Sequence, residues 1–165
     1  MSLAGGRLEI LYRCVVEVES SGNPFAIRYE PRFANRILSD DPALRRAIHY
    51  YHANLDTLRS FLAFSVGRIQ VLIYNLFFYD DVYDFVMSKG FKPCIPYYLP
   101  EHAEKELFHI LLKSMGIDFF PFDNEELLYR FAKHWNGSPA YAKRLKIAYT
   151  LQTASYKLKP RYRYG

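Results

Sequence analysis

The sequence predicts an all-α domain, and three observations carry that prediction. Apolar residues recur three and four apart in successive segments, the period of a helix with one buried face. Those segments open near Asp or Asn and close near Gly or Pro, the residues that cap and stop helices. Half of the 165 residues are hydrophobic and 18% are aromatic, enough for a single domain with a substantial core.

The first helix carries the stripe Leu8, Leu11, Tyr12, Val15 and Val16. Glu19 continues it, three residues after Val16 and four after Val15. Glu17 points elsewhere and is expected to pair with Arg13, one turn behind it. Ser20, Ser21, Gly22, Asn23 and Pro24 stop the helix, with Gly22 as a left-handed C-terminal cap. One carboxylate therefore ends on the apolar face at the last helical turn. Desolvation and the negative end of the helix dipole both disfavour its charge and are expected to push its pKa up. A general acid working near neutral pH needs that environment. A carboxylate that reaches solvent, or pairs with an arginine from elsewhere, reads the same locally.

Residues 25–36, FAIRYEPRFANR, alternate enough for an extended or hairpin segment and hold a second carboxylate, Glu30. Asp40 or Asp41 before Pro42 predicts an N-cap, and the helix is expected to run to Leu62 on the stripe Leu44, Ile48, Tyr51, Leu55, Leu58 and Leu62. His49 and His52 lie on this helix, but no HExxH or CxxC spacing accompanies them, so neither metal nor cofactor is expected. From Phe64 to Phe78, the stripe Ile69, Leu72, Ile73 and Leu76 predicts a core helix. Gly67 would open it, and Gln70, one turn on, offers both a donor and an acceptor. Asp80 and Asp81 are expected to cap a short helix that ends at Gly90. The loop FKPCIPYYLP shows no chemistry. Glu101–Met115 reads as an amphipathic helix with Leu107, Ile110, Leu111 and Met115 inward, closed by Gly116. The aromatic run IDFFPF is a core plug, and Asp123 or Asn124 caps a helix ending near Trp135. Asn136-Gly137 then reads as a turn, and Ser138-Pro139 as the start of the last helix.

Three of these stretches, in this order, resemble one enzyme group. VVEVESSGNPFAI is similar to the first motif of goose-type lysozymes and lytic transglycosylases, Glu-Ser-x-Gly after an apolar helix. The Glu of that motif is the catalytic acid, which implies that role for Glu19. Ser65-x-Gly67-x-x-Gln70 resembles the Gly-Leu-Met-Gln motif of lytic transglycosylases. It is closer to the Ser-x-Gly-x-x-Gln of phage-endolysin N-acetylmuramidase domains, whose following Phe-Asn is Tyr74-Asn75 here. Trp135-Asn136-Gly137-Ser138-Pro139 with Tyr141 resembles the muramidase Tyr-Asn-Gly-Pro-x-Tyr. Ile27 to Phe33, with Arg36, is similar to an aromatic-Glu-Arg-His element of the same domains. The chain departs from these patterns at Pro31, Arg32, Arg68 and Ser138, and Trp135 replaces a tyrosine. An indole stacks and donates a hydrogen bond but accepts none. The 45 residues between Glu19 and Ser65 match the muramidase domains better than the transglycosylases.

The resemblance implies a lysozyme-like fold that cleaves the β-1,4 bond between N-acetylmuramic acid and N-acetylglucosamine in peptidoglycan. Ser65, Gly67, Gln70, Asn75, Trp135, Asn136 and Tyr141 would line the sugar groove. Three roles are open to Glu30: orienting the site, acting as a second catalytic carboxylate, or pairing with Arg28 or Arg32. The rival reading is a lysozyme-like protein that binds wall glycan without cutting it.

A net charge of +5 and a pI near 9.1 favour polyanionic partners, the bacterial wall among them. Seven basic residues and no acidic one follow Ala142, and residues 156–165 read as a basic tail. Nucleic acid is not expected, because no helix clusters arginine and lysine beside base-reading side chains. No run approaches the roughly 18 apolar residues of a membrane span. MSLAGG, residues 1–6, reads as an added leader, and the start lacks the features of a signal peptide. The resemblance implies action on the cell wall, periplasmic or extracellular, by a phage-encoded lysis or virion protein. A monomer is expected, with Cys14 and Cys94 as two buried or half-buried free thiols.

Overall fold

The computed structural model describes the backbone of residues 3–158 and the side chains through Ala154. The side chains of the expected basic tail, 156–165, lie outside the described residues. The elements are, in order, α1 (Gly6–Ser20), β1 (Ile27–Tyr29), α2 (Pro31–Ala34), α3 (Pro42–Tyr51), α4 (Leu55–Leu62), β2 (Phe64–Val66), β3 (Val71–Leu72), α5 (Ile73–Phe78), α6 (Asp80–Ser88), α7 (Glu101–Ser114), α8 (Glu125–Trp135) and α9 (Pro139–Leu158). The fold is largely helical, as the apolar spacing predicts, with one small sheet. Two compact units divide it, one from residues up to 18 and from 117 onward, the other from residues 19–116.

In the first unit, Leu11, Tyr12, Cys14 and Val15 of α1 are buried. Arg13 pairs with Glu9 at 2.9 Å instead of with Glu17. The acid precedes the base by one turn, which is the better order along the helix dipole. Ile117, Phe119, Phe120 and Pro121 form the expected apolar plug. Phe122 stacks on Tyr149 at 4.1 Å, and Arg7 lies over the Phe120 ring and reaches Asp123 at 3.3 Å. The cap of α8 is Asn124, whose side chain accepts from the Leu127 amide at 2.9 Å.

The second unit departs from the sequence-based expectation in four places. The helix expected from Pro42 to Leu62 is two helices. His52 takes a left-handed φ of 53° and ends α3, and the Asn54 side chain caps α4 through the Thr57 amide at 2.8 Å. The apolar stripe runs through the break, so only the capping chemistry of Asn54 marked it. Asp41 caps α3 as expected, accepting from Ala43 and Leu44. Asp80 and Asp81 do not cap α6; Tyr79 takes the N-cap position, and Asp80 meets Arg46 at 2.5 Å.

The third departure shapes the site. Phe64–Phe78 is not one helix but the hairpin β2–β3 followed by the short α5. β1 joins this hairpin to make a three-stranded antiparallel sheet in the order β1-β2-β3, pairing Ile27 with Val66, Arg28 with Ser65 and Tyr29 with Phe64. Of residues 25–36, expected to be an extended or hairpin segment, only Ile27–Tyr29 form a strand, at the sheet edge, while Pro31–Ala34 turn into the short helix α2, with Pro31 at its first turn. A run such as VLI fits a buried strand as well as a helix stripe, and the β-branched Val66 and Val71 favour the strand. The turn needs two left-handed residues, Gly67 at φ 78° and Gln70 at φ 50°, which no helix accommodates. Leu62, Ile69, Ile73, Leu76, Phe77, Leu107 and Leu111 form the fully buried centre of this unit. Of the two free thiols, Cys14 is buried and Cys94 is exposed.

Candidate functional site

Glu19 lies at the last turn of α1, which Ser21 (φ 51°) and Gly22 (φ 84°) end by turning left-handed. Its side chain is only 6% exposed, with an Arg28 Nη2 4.0 Å from Oε2. The same guanidinium donates from Nε to Glu30 Oε1 at 2.5 Å. Glu30 sits at the junction of β1 and α2, held there by its amide bond to the Ala63 carbonyl at 2.9 Å. Arg28 therefore ties the two carboxylates together. Burial and the helix terminus disfavour charge on Glu19, while the guanidinium favours it.

The hairpin turn is bound to this cluster by hydrogen bonds. Ser20 Oγ donates to the Arg68 carbonyl at 2.7 Å, and the Gly67 amide donates to the Ala26 carbonyl at 3.0 Å. Gln70, nearly buried, donates its side-chain NH2 to the carbonyls of Ala26 and Gly67, both at 3.0 Å. The amide donors expected to face a sugar thus hold the turn, leaving the side-chain carbonyl. Ser65 is buried in β2 opposite Arg28, and Asn75 lies farther on, in α5.

Sequence reasoning missed Glu104, which is 2% exposed in α7. Its Oε2 accepts from the Arg68 amide at 3.1 Å, while Arg68 Nη1 lies 4.0 Å from Oε1 and donates to the Leu99 carbonyl at 2.9 Å. A signal was present, because Glu104 stands three, four and seven residues before Leu107, Phe108 and Leu111 on the buried stripe. Also missed were Phe25 and Tyr98, half-exposed and stacked at 5.3 Å, a flat aromatic face of the kind on which sugars stack. A groove of about 430 Å³ takes in Tyr29, Asn35, Ser39, Asp56 and Arg59, but not Arg28 or Glu30. Alternation along β1 puts Tyr29 on the face away from the carboxylates.

In the first unit, Trp135 ends α8 half-buried and stacks on Phe131 at 6.0 Å. Asn136 is the C-cap, its amide bonded to the Ala132 carbonyl at 2.9 Å, and Gly137 turns left-handed at φ 80°. Tyr141, expected on a groove wall, is fully buried. It starts the stripe Tyr141, Ala142, Leu145 and Ala148 of α9, so its ring is part of the core of this unit. His49 and His52 are exposed, with ring centroids 6.5 Å apart, and among the described residues no three His, Cys, Asp or Glu side chains are grouped to hold a metal ion.

Comparison with known proteins gives one relationship. The chain is 24% identical over 141 residues to an endolysin of Enterobacteria phage PRD1, covering 80% of this chain and 89% of that protein. No family model matches, and no solved structure matches.

Proposed function

We propose that this protein is a peptidoglycan-lytic enzyme that cleaves the β-1,4 bond between N-acetylmuramic acid and N-acetylglucosamine, with Glu19 as general acid and base. The observation that carries this reading is the buried Glu19 carboxyl at the end of α1, paired with Arg28 beside the Ser65–Gln70 hairpin. The likeness to an endolysin supports the substrate class. In the protonated state, Glu19 gives its proton to the glycosidic oxygen as the bond to C1 breaks. The carboxylate then accepts a proton from the attacking hydroxyl, so the residue ends as it began.

Which hydroxyl attacks depends on Glu30. Its carboxylate accepts from Arg28 Nε at 2.5 Å, which supports the pairing role among the three open to it. A reaction in which one carboxyl serves as both acid and base suits that arrangement, and closure of the muramic 6-hydroxyl onto C1 is such a reaction. We therefore favour the lytic transglycosylase branch over hydrolysis.

Mass spectrometry of purified peptidoglycan treated with the wild type and with Glu19→Gln tests this. Anhydro-muropeptides from the wild type, reduced about 10²–10⁴-fold in the variant, are expected. Reducing muropeptides would replace the transglycosylase branch with hydrolysis and make Glu30 the next residue to change. Intact glycan in both samples would overturn the catalytic reading and leave a glycan-binding protein.

A further inference from the structure

We infer that Glu104 is a positioning residue for Glu19, acting through the Gly67–Gln70 turn and Ser20; this rests on the catalytic reading of Glu19. The chain of contacts is short and continuous. Glu104 Oε2 accepts the Arg68 amide at 3.1 Å, and the carbonyl of the same Arg68 accepts the Ser20 hydroxyl at 2.7 Å. Ser20 is the residue after Glu19 and the last of α1. One residue of the turn is thus gripped at its N–H by a buried carboxylate, and at its C=O by the residue adjoining the proposed acid.

Three features argue that the grip is specific. Glu104 is almost wholly buried on an otherwise apolar stripe, where an aliphatic residue would pack without the desolvation penalty of a carboxylate. The turn is built to receive it, since a Cβ on Gly67 would lie 2.8 Å from Glu104 Oε2. The Arg68 side chain closes the cluster, reaching the Leu99 carbonyl at 2.9 Å with Glu104 Oε1 4.0 Å from the same nitrogen. Helix ends fray, and α1 ends at Ser20 in two left-handed residues. Without an anchor, the last turn would let the Glu19 carboxyl wander from its productive place, and a displacement of about 1 Å can cost on the order of 10²-fold in rate.

The test uses Ser20→Ala, Glu104→Gln and the double variant of the full chain, with two readouts. Backbone hydrogen exchange of segments 19–22 and 67–70 reports the grip directly. Kinetics on soluble glycan chains prepared from peptidoglycan report its consequence. Glu104→Gln is expected to speed exchange in both segments about fivefold or more, while the α7 core keeps its protection. It should lower kcat about tenfold and leave KM within about twofold, with Ser20→Ala adding less than about twofold on top because the two act in series. Faster exchange at 67–70 with 19–22 unchanged would overturn the inference, as would an unchanged kcat or fully multiplicative losses. Should Glu104→Gln not fold, Ser20→Ala alone must still speed exchange at 67–70 and lower kcat at constant KM. A wild type that releases no muropeptide would remove the catalytic reading, while the exchange data would still decide whether the grip exists.

Discussion

At the scale of single residues, Arg28 and the two thiols give the sharpest expectations. Arg28 stabilises the charged form of Glu19 from 4.0 Å, so removing its cation should let Glu19 keep its proton to higher pH. For a general acid, the sign follows: Arg28→Gln should move the alkaline limb of kcat/KM upward in pH. A pH–rate profile of the two proteins checks this, and an unmoved limb would count against any action of Arg28 on Glu19. Burial pushes the Cys14 thiol from 9.0 up to about 12, whereas Cys94 is exposed. A thiol reagent at pH 8 should therefore modify one cysteine rapidly in the native protein and the second only after denaturant is added. Two fast equivalents would show that the first helix opens readily.

Among the elements, the hairpin turn and the α3–α4 junction can be tested by stability. Gly67 has a φ of 78°, and an added Cβ would meet the Glu104 carboxylate at 2.8 Å. Gly67→Ala should destabilise the chain by about 1–3 kcal/mol through left-handed strain, in addition to disturbing the buried carboxylate. Urea unfolding measures it, and a loss below a few tenths of a kcal/mol would mean that the turn relaxes freely. His52 holds a φ of 53° at the end of α3 without glycine's freedom. His52→Gly should stabilise by up to about 1 kcal/mol, the relieved strain exceeding the extra chain entropy lost on folding. The same junction explains why an unbroken helix was expected there. The apolar stripe from Leu44 to Leu62 keeps its period through the break, and neither Gly nor Pro marks it. The hairpin was hidden for a different reason, because the apolar run around Val71 serves a buried strand and a helix face equally well.

For the whole molecule, the charge balance and the buried phenols set the response to solution conditions. Burial raises the proton affinity of Cys14, Tyr51, Tyr74, Tyr79 and Tyr97, and the Asp41 carboxylate accepting the Tyr74 hydroxyl adds to the effect. Groups raised in the folded state contribute stability that is complete below their ordinary values, 9.0 for the thiol and 10.0 for the phenols, and that is lost as pH climbs toward the folded values. The urea midpoint should therefore hold steady to about pH 9 and then fall. A midpoint flat to pH 11 would mean that these groups stay accessible to solvent exchange in the folded chain. With a net charge of +5, attachment to anionic wall polymer should weaken as salt is raised. Binding to isolated cell walls between low and physiological ionic strength measures that, and salt-independent binding would assign no role to the charge.

The sequence by itself determined the helical class, most of the caps and the place of Glu19, because helix periodicity and capping are local and repeat within a few residues. It also supplied both partners of the Arg28–Glu30 pair, which lie two residues apart. Tertiary structure alone decided that Arg28 reaches Glu19, that Phe64–Leu72 is a hairpin, and that Tyr141 is core. It also brought Glu104 onto a turn 36 residues earlier in the chain. Each of these depends on a partner distant in sequence, and neither a strand's pairing nor a buried charge's compensation is written in the residues beside it.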